Sequence, residues 1–245
     1  MSEHERIQNL LREGKITEEE ARLLSEALEA PFSELVGYRP VSGGNPQEAY
    51  APPRAGENPS ALRWVRVRLT AGELVASFDP SLREPEVEGK VETRENGRDL
   101  EVSPQIPGGD FLGNLLGGLK IGQVTVRVPA GWGLEVHGTA GEVRARGLPY
   151  VKARLMAGEV DLSDVQGVDV EVKTGQIEGS VMLTEGRHRL NVTLGEVDVK
   201  ILPGSSVKVE SRVGLGNLET TPRQVGQGSA QLEASVSVGN LEVRA

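Results

Sequence analysis

Alternating apolar and polar residues predict β-strands over most of the chain beyond residue 61. The run W-V-R-V-R-L at 64–69 places an apolar side chain at every second position, which is the period of a strand with one buried face. Two further runs, near 86–93 and 99–102, are separated by Asn96 and Gly97. Asn-Gly between alternating runs predicts a hairpin. The region 61–245 is therefore predicted to be mainly β.

A short strand that begins at a glycine recurs six times in the second half of the chain. Successive glycines are 17, 17, 20, 21 and 23 residues apart, and A-G-E-L-V at 71–75 is a weaker early copy. Glycine fits a corner that needs a positive φ or a close backbone approach. The glycines of the series are Gly141, Gly158, Gly175, Gly195, Gly216 and Gly239.

Each glycine strand follows another alternating run, at 151–155, 168–172, 190–194, 207–211 or 232–236. Repeats of about 20 residues that each supply two strands are typical of the rungs of a β-solenoid or β-roll. An antiparallel meander or a sandwich is the structural alternative. Because the glycine spacing grows along the chain, we expect later rungs to be wider or to carry longer loops.

Stacked rungs would form columns of side chains. Val143, Val160, Ile177, Val197, Leu218 and Leu241 would point inward, and the residues on either side of each would point outward. Like charges stacked about 4.8 Å apart repel. This face would bind a cation or a basic partner, or it is a solvated surface relieved by Lys152, Arg154, Lys173 and Lys200. Its carboxylates are Glu142, Glu159, Asp161, Glu178, Glu196, Asp198, Glu219 and Glu242.

Residues 1–36 predict a small α-helical hairpin. Gly14 can end the first helix, and Thr17 with Glu20 forms a capping box for the second. The hairpin either packs on the chain's own core or docks on another copy or a partner. A tether rich in Pro and Gly follows at 37–60. The candidate docking stripe of the hairpin is Ile7, Leu11, Leu24 and Leu28.

An apolar, glycine-rich stretch at 108–122 differs from the rest of the β region. It either folds over one end of the rungs or offers a patch for protein or peripheral membrane contact. Its apolar residues include Phe111, Leu112, Leu115 and Leu116.

Composition excludes several function classes. The chain has no cysteine and three histidines, and its net charge of −9 disfavours nucleic-acid binding. Its sequence contains none of the common hydrolase, metalloprotease or P-loop motifs, so we expect no enzyme activity, no cofactor and no metal. A carbohydrate-active β-helix enzyme, with carboxylates on neighbouring rungs, is the remaining catalytic alternative. Few Asn and many Glu, Arg and Pro suggest a thermophile.

Two resemblances extend this interpretation. The sequence L-L-R-E-G-K-I-T-E-E-E-A-R-L-L at 10–24 resembles the SHOCT-like helical hairpin. V-T-V-R-V-P at 124–129, followed by L-E-V-H-G-T-A-G-E-V-R-A-R-G-L at 134–148, resembles the DUF4097 "putative adhesin" family. The resemblance implies a bacterial β-solenoid-like domain with envelope or membrane-stress functions, and it implies no catalytic or binding residues.

We therefore expect a non-enzymatic protein-interaction or scaffold module linked to envelope stress or organisation. The charged N-terminus and the lack of an apolar stretch of transmembrane length favour a cytoplasmic protein, with membrane association as an addition. The alternative is a structural protein that polymerises through its solenoid ends, because the last rung, 232–244, would end the chain at an uncovered edge.

Overall fold

The computed structural model describes residues 61–104, 123–220 and 223–245, and these residues form one large, mainly parallel β-sheet. The predicted mainly-β class is confirmed. The hairpin at 1–36, the tether at 37–60 and the apolar residues from Phe111 to Leu116 lie outside the described residues. The strands are β1 Arg63–Leu69, β2 Glu73–Phe78, β3 Glu86–Glu88, β4 Val91–Asn96, β5 Asp99–Pro104, β6 Val124–Val128, β7 Trp132–Arg146, β8 Val151–Val165, β9 Val168–Val181, β10 Gly186–Ile201, β11 Val207–Thr220, β12 Gln224–Val225 and β13 Ala230–Arg244.

The long strands stack in parallel with their repeat glycines in register. Gly141 of β7 lies opposite Gly158 of β8, which lies opposite Gly175 of β9 and then Gly195 of β10. The buried positions change parity at each glycine. In β8, positions 151, 153 and 155 are buried before the glycine, and 160 and 162 are buried after it. Each long strand therefore has a first leg before its glycine and a second leg after it, and both legs contribute to one apolar core.

The connections between long strands are short. Only Gln166 and Gly167 separate β8 from β9, whereas residues 202–206 separate β10 from β11. Since the legs keep nearly the same length, the growing glycine spacing is taken up by these connections. The end of each second leg therefore lies near the start of the next first leg, and from β7 to β10 the chain advances by one strand per turn.

Glycine is required at the corner for two reasons. The φ of Gly195 is +140°, a conformation that residues with a side chain rarely adopt. A Cβ on Gly195 would also lie 1.8 Å from the carbonyl oxygen of Gly175. The same close approach recurs at Gly158, Gly175, Gly216 and Gly239. The predicted corner is confirmed.

The early part of the chain continues the stack from β7. The first leg of β7 pairs with β1 and its second leg pairs with β2. In the segment that joins β1 to β2, the carbonyl of Gly72 accepts a hydrogen bond from the amide of Glu142 at 2.9 Å. The sequence A-G-E-L-V at 71–75 is therefore a true copy of the corner. Beyond β1 and β5, the predicted hairpin at Gly97 joins β5 to the antiparallel β4. Beyond β2 and β6 lies the short antiparallel β3.

The last strand does not lie at the edge of the sheet, so that prediction is wrong. β13 is inserted between β10 and β11 and pairs in parallel with both. Its inward positions are all apolar, whereas β11 carries Ser211 at an inward position opposite Ala234. The more apolar strand therefore takes the covered place. The outer strand is β11, and β12 pairs with only Val207 and Lys208 of it.

Candidate functional site

The second legs of the six long strands carry the predicted carboxylates on one surface, here called the acidic face. Their inward neighbours Val160, Ile177 and Val197 are buried, so the residues on either side point outward. All eight predicted carboxylates share this surface. Their order differs from the prediction because β13 places Glu242 between Asp198 and Glu219. The face consists of Glu142, Glu159, Gln176, Glu196, Asn240 and Asn217 in one column and Arg144, Asp161, Glu178, Asp198, Glu242 and Glu219 in the other.

Two arginines neutralise part of the acidic face. Arg144 forms ion pairs with Glu142 and with Glu73 of β2. Arg244 of β13 forms ion pairs with Asp198 of β10 and, at 3.2 Å, with Glu242. The second arginine reaches Asp198 only because β13 is inserted beside β10. Sequence reasoning missed this contact, since the two residues are 46 positions apart.

At the centre of the acidic face, Glu178 is repelled by the carboxylates around it. Glu178 of β9 lies between Asp161 and Asp198 in the register. The pKa of Glu178 is raised by partial desolvation, and further by the charge and a hydrogen bond of Glu159 and by the charges of Asp161 and Asp198. These four carboxylates, Glu159, Asp161, Glu178 and Asp198, are called the central cluster. The raised pKa means that the ionised form of Glu178 is disfavoured at this position, in part by its carboxylate neighbours.

On the outward surface of the first legs, positive and negative side chains are paired. There the register alternates positive and negative side chains across six strands, so that each charge has an opposite neighbour. Arg154 bonds Asp169 at 2.9 Å, and Arg189 bonds the same carboxylate at 3.2 Å. The alternating residues are Arg66, Glu135, Lys152, Asp169, Arg189 and Glu233.

The pKa values on the first legs show this pairing. Burial alone would raise the pKa of Asp169, but hydrogen bonds and charges from Arg154 and Arg189 lower it. The pKa of Glu135 is lowered in the same way, against the effect of burial, by a hydrogen bond from His137 and by the charge of Arg66. Lys152 and Arg154, which the sequence suggested would relieve the acidic face, lie on the first legs. Lys152 stands 4.0 Å from the Trp64 ring centre.

The histidines within the described residues bond to the backbone or to a neighbouring carboxylate. His188 is buried, its Nδ1 accepts from the amide of Val168 at 3.3 Å, and its Nε2 donates to the carbonyl of Glu185 at 2.9 Å. Burial lowers its pKa, so the ring is neutral, and its two hydrogen bonds link the start of β9 to the loop before β10. His137 lies 3.3 Å from Glu135. Within the described ranges, no group of three or more His, Asp or Glu residues is placed to hold a metal ion.

An apolar corner is a feature that sequence reasoning missed. The residue before the repeat glycine is Ala140 in β7, Ala157 in β8 and Thr174 in β9, but it is Leu194, Val238 or Leu215 in the last three strands of the stack. These three lie in register and are exposed, Leu215 to 71%. The change from alanine to larger side chains at one repeat position was the available signal. No helix in the described part of the chain is long and apolar enough to cross a membrane.

Comparisons with known proteins add one structure. No family model matches the chain. No curated protein matches it either. The crystal structure of a putative cell adhesion protein from Clostridium sporogenes ATCC 15579 is similar at 17% identity, with a TM-score of 0.45, over 75% of this chain and 92% of that chain. The DUF4097 and SHOCT-like resemblances stay predictions.

Proposed function

We propose that this protein is a non-enzymatic, protein-binding scaffold with a solenoid-like β-roll body, and that its acidic face binds a basic surface of a protein partner. The in-register parallel strands, the glycine corners and the two-residue return between β8 and β9 support the solenoid description. Such a body is rigid, because each strand is hydrogen-bonded to its neighbours along both legs.

The observation that carries the proposal is the difference between the two outward surfaces. The first legs pair their own charges, as the lowered pKa values of Glu135 and Asp169 indicate. In the central cluster Arg244 pairs with Asp198, whereas the pKa of Glu178 is raised, first by desolvation and then by the neighbouring carboxylates. A partner with lysine or arginine side chains would supply the missing positive charge and remove the repulsion. Complementary charge of this kind chiefly sets the association rate and the choice of partner.

The spacing of the acidic face favours an extended basic segment. Neighbouring strands are about 4.8 Å apart, and the outward residues within a leg repeat every second position. The carboxylates of Glu159, Asp161, Glu178 and Asp198 therefore form a fixed two-column grid on β8, β9 and β10. A flexible acidic tail would lose conformational freedom on binding, whereas this grid is already ordered.

The cellular setting follows from the DUF4097 resemblance alone. We propose a role in envelope stress or organisation, on the cytoplasmic side and in association with the membrane through a partner. Fractionation of cells that express the full chain tests the setting. Recovery with the membrane fraction, and its release by high salt, is the expected result. Recovery entirely in the secreted fraction would contradict it.

The binding proposal is tested with a ten-residue lysine peptide as the probe, by isothermal titration calorimetry on the full chain at low salt. Replacing Glu159 and Glu178 with glutamine should weaken binding roughly tenfold, because two carboxylates leave the centre of the face. The control replaces Glu171 and Glu233 on the first legs with glutamine and changes the net charge equally.

The control variant should bind the peptide within about twofold of the wild type. Equal weakening by both variants would mean that net charge alone attracts the peptide, and the acidic face would lose its role. Binding that the first variant leaves unchanged would have the same consequence.

A further inference from the structure

The outer edge of β11 lacks a strand partner along most of its length within the described residues. β12 pairs with Val207 and Lys208, and the amide of Val209 donates to the carbonyl of Arg223 at 2.9 Å. From Ser211 onward no described strand covers this edge. Unpaired amide and carbonyl groups on such an edge are a template for another strand.

The same edge exposes side chains whose neighbours in register on β13 belong to the core. Leu218 is 47% exposed, whereas Leu241, its neighbour in register on β13, is 1% exposed. Val213 is only partly buried, and Val236 beside it is buried. An added strand would cover both positions and complete the core at this end.

The opposite end of the sheet is protected. Its outer strands are the antiparallel β3 and β4, with exposed polar and charged residues such as Glu88, Glu92 and Arg94. Charged edge strands of this kind oppose pairing with another chain. The two ends are therefore not suited to bind each other, and an open head-to-tail filament is disfavoured relative to a closed pair formed by β11 alone.

Backbone directions determine which residues of β11 offer hydrogen bonds to a new strand. On the first leg the amide of Val209 points to the free edge, and so do those of Ser211 and Val213 at the strand period of two. On the second leg the alternation of amide directions is shifted by one residue. There the amides of Ala140 and Glu142 of β7 point to the preceding strands and donate to the carbonyls of Thr70 and Gly72.

The second-leg equivalents in β11 follow from the register of the stack. Leu215 corresponds to Ala140 and Asn217 corresponds to Glu142. By this correspondence the amides of Leu215 and Asn217 face β13, and those of Gly216 and Leu218 face the free edge.

We propose that β11 pairs antiparallel with β11 of a second copy of this chain, with Val213 of each copy opposite Leu218 of the other. Both residues direct their amides to the edge and their side chains to the core. The two-fold axis then passes between Leu215 and Gly216, so the bends of both strands coincide. The register also places Arg212 opposite Glu219, and symmetry forms every one of these pairs twice.

Neighbouring registers fit less well. Because edge-facing groups alternate, a slip must be of two residues. A slip in one direction sets Glu210 against Glu219, and like charges directly opposite destabilise a strand pair. A slip in the other direction sets Glu219 against Gly214 and removes the Arg212 pair. Both slips move the corners away from the axis. The complementarity of β11 with itself identifies a second copy as the occupant.

The register is tested by disulfide formation, since the chain has no native cysteine. Arg212 and Glu219 would form a pair whose Cα atoms are about 4.5 Å apart in an antiparallel ladder, within the range of a disulfide. R212C mixed with E219C should form a covalent dimer on mild oxidation. R212C alone or E219C alone should not, because the same residue of the two copies is far apart. Equal cross-linking in all three samples, or none in the mixture, would overturn the register.

The interface itself is tested by sedimentation velocity of the full chain over a concentration series. The wild type should be a dimer that dissociates on dilution. L218K should be monomeric throughout, whereas L194K, a matched change at a similarly exposed leucine of β10, should leave the dimer intact. R212E should weaken the dimer roughly tenfold, because two attractive pairs become repulsive, and R212E/E219R should restore it. A wild-type monomer at every concentration, a filament, or a dimer that L218K and R212E leave unchanged would overturn the proposal.

Discussion

Replacing Gly195 with alanine tests the central feature of the fold, the stacked glycine corner. The residue lies in the middle of the stack, between Gly175 of β9 and Gly239 of β13. Alanine at a φ of +140° is strained by about 1–3 kcal/mol. Its Cβ would stand 1.8 Å from the carbonyl oxygen of Gly175, against the 3.0 Å that real Cβ atoms keep.

The close approach is the larger part of the cost. The two strands would have to separate locally by about 1.2 Å, which is the difference between those two distances. Such a shift disrupts ladder hydrogen bonds beside the corner, at about 1 kcal/mol each. Alanine lowers the entropy of the unfolded chain, which offsets about 0.4–1 kcal/mol. The net loss should be about 3–5 kcal/mol, a large share of the about 5–15 kcal/mol that stabilises a typical domain.

The assay is urea unfolding of the full chain, followed by far-ultraviolet circular dichroism and by the fluorescence of Trp64 and Trp132. The control is Gly97→Ala in the β4–β5 turn, where φ is +64° and a Cβ would meet nothing within 4 Å. This control should lose only about 1 kcal/mol, because it keeps the strain and lacks the close approach. If Gly195→Ala cost no more than Gly97→Ala, the close approach of the stacked strands would not be what requires glycine at the corner.

Two further predictions concern the charges of the two surfaces. The folded-state pKa of Glu178 is raised above about 4.5, so its ionisation opposes folding as the pH rises through that value. Glu178→Gln should therefore raise the free energy of unfolding at pH 7, and the gain should shrink in high salt and vanish well below pH 4.5; a loss of stability at pH 7 would contradict the repulsion. The pKa of Asp169 is lowered below about 3.8, so its ion pairs stabilise the fold above that pH and are lost as the pH falls. Asp169→Asn should cost about 1 kcal/mol at pH 7 and nothing at the acid end of a urea-unfolding pH series, and a cost that did not depend on pH would mean that Asp169 acts through packing instead.

Much of the body of the protein could be predicted because its signals are local. Alternation of apolar and polar residues predicts each leg, and a glycine between two legs predicts a corner. The corner is confirmed because a positive φ and a close backbone approach both exclude other residues. The eight carboxylates of the acidic face were also predicted to share a surface, since the position of each relative to its glycine decides which way it points.

The order of the strands in the sheet could not be predicted from the sequence. The motifs at 215–220 and 238–243 are nearly alike, so either strand could follow β10. The tertiary structure places β13 there because its inward residues are all apolar, and it leaves β11, with Ser211 among its inward residues, on the outside. This choice compares two strands for the same place beside β10, and the pattern within either strand does not make that comparison.

The sequence alone therefore determined where the strands bend and which residues face the core. The tertiary structure decided which strands are neighbours, and through that choice which charges meet. Arg244 pairs with Asp198 because β13 lies beside β10. Glu178 keeps its repulsion from the neighbouring carboxylates, and Leu218 stays exposed on β11. Contacts between strands far apart in sequence depend on the packing of the complete sheet.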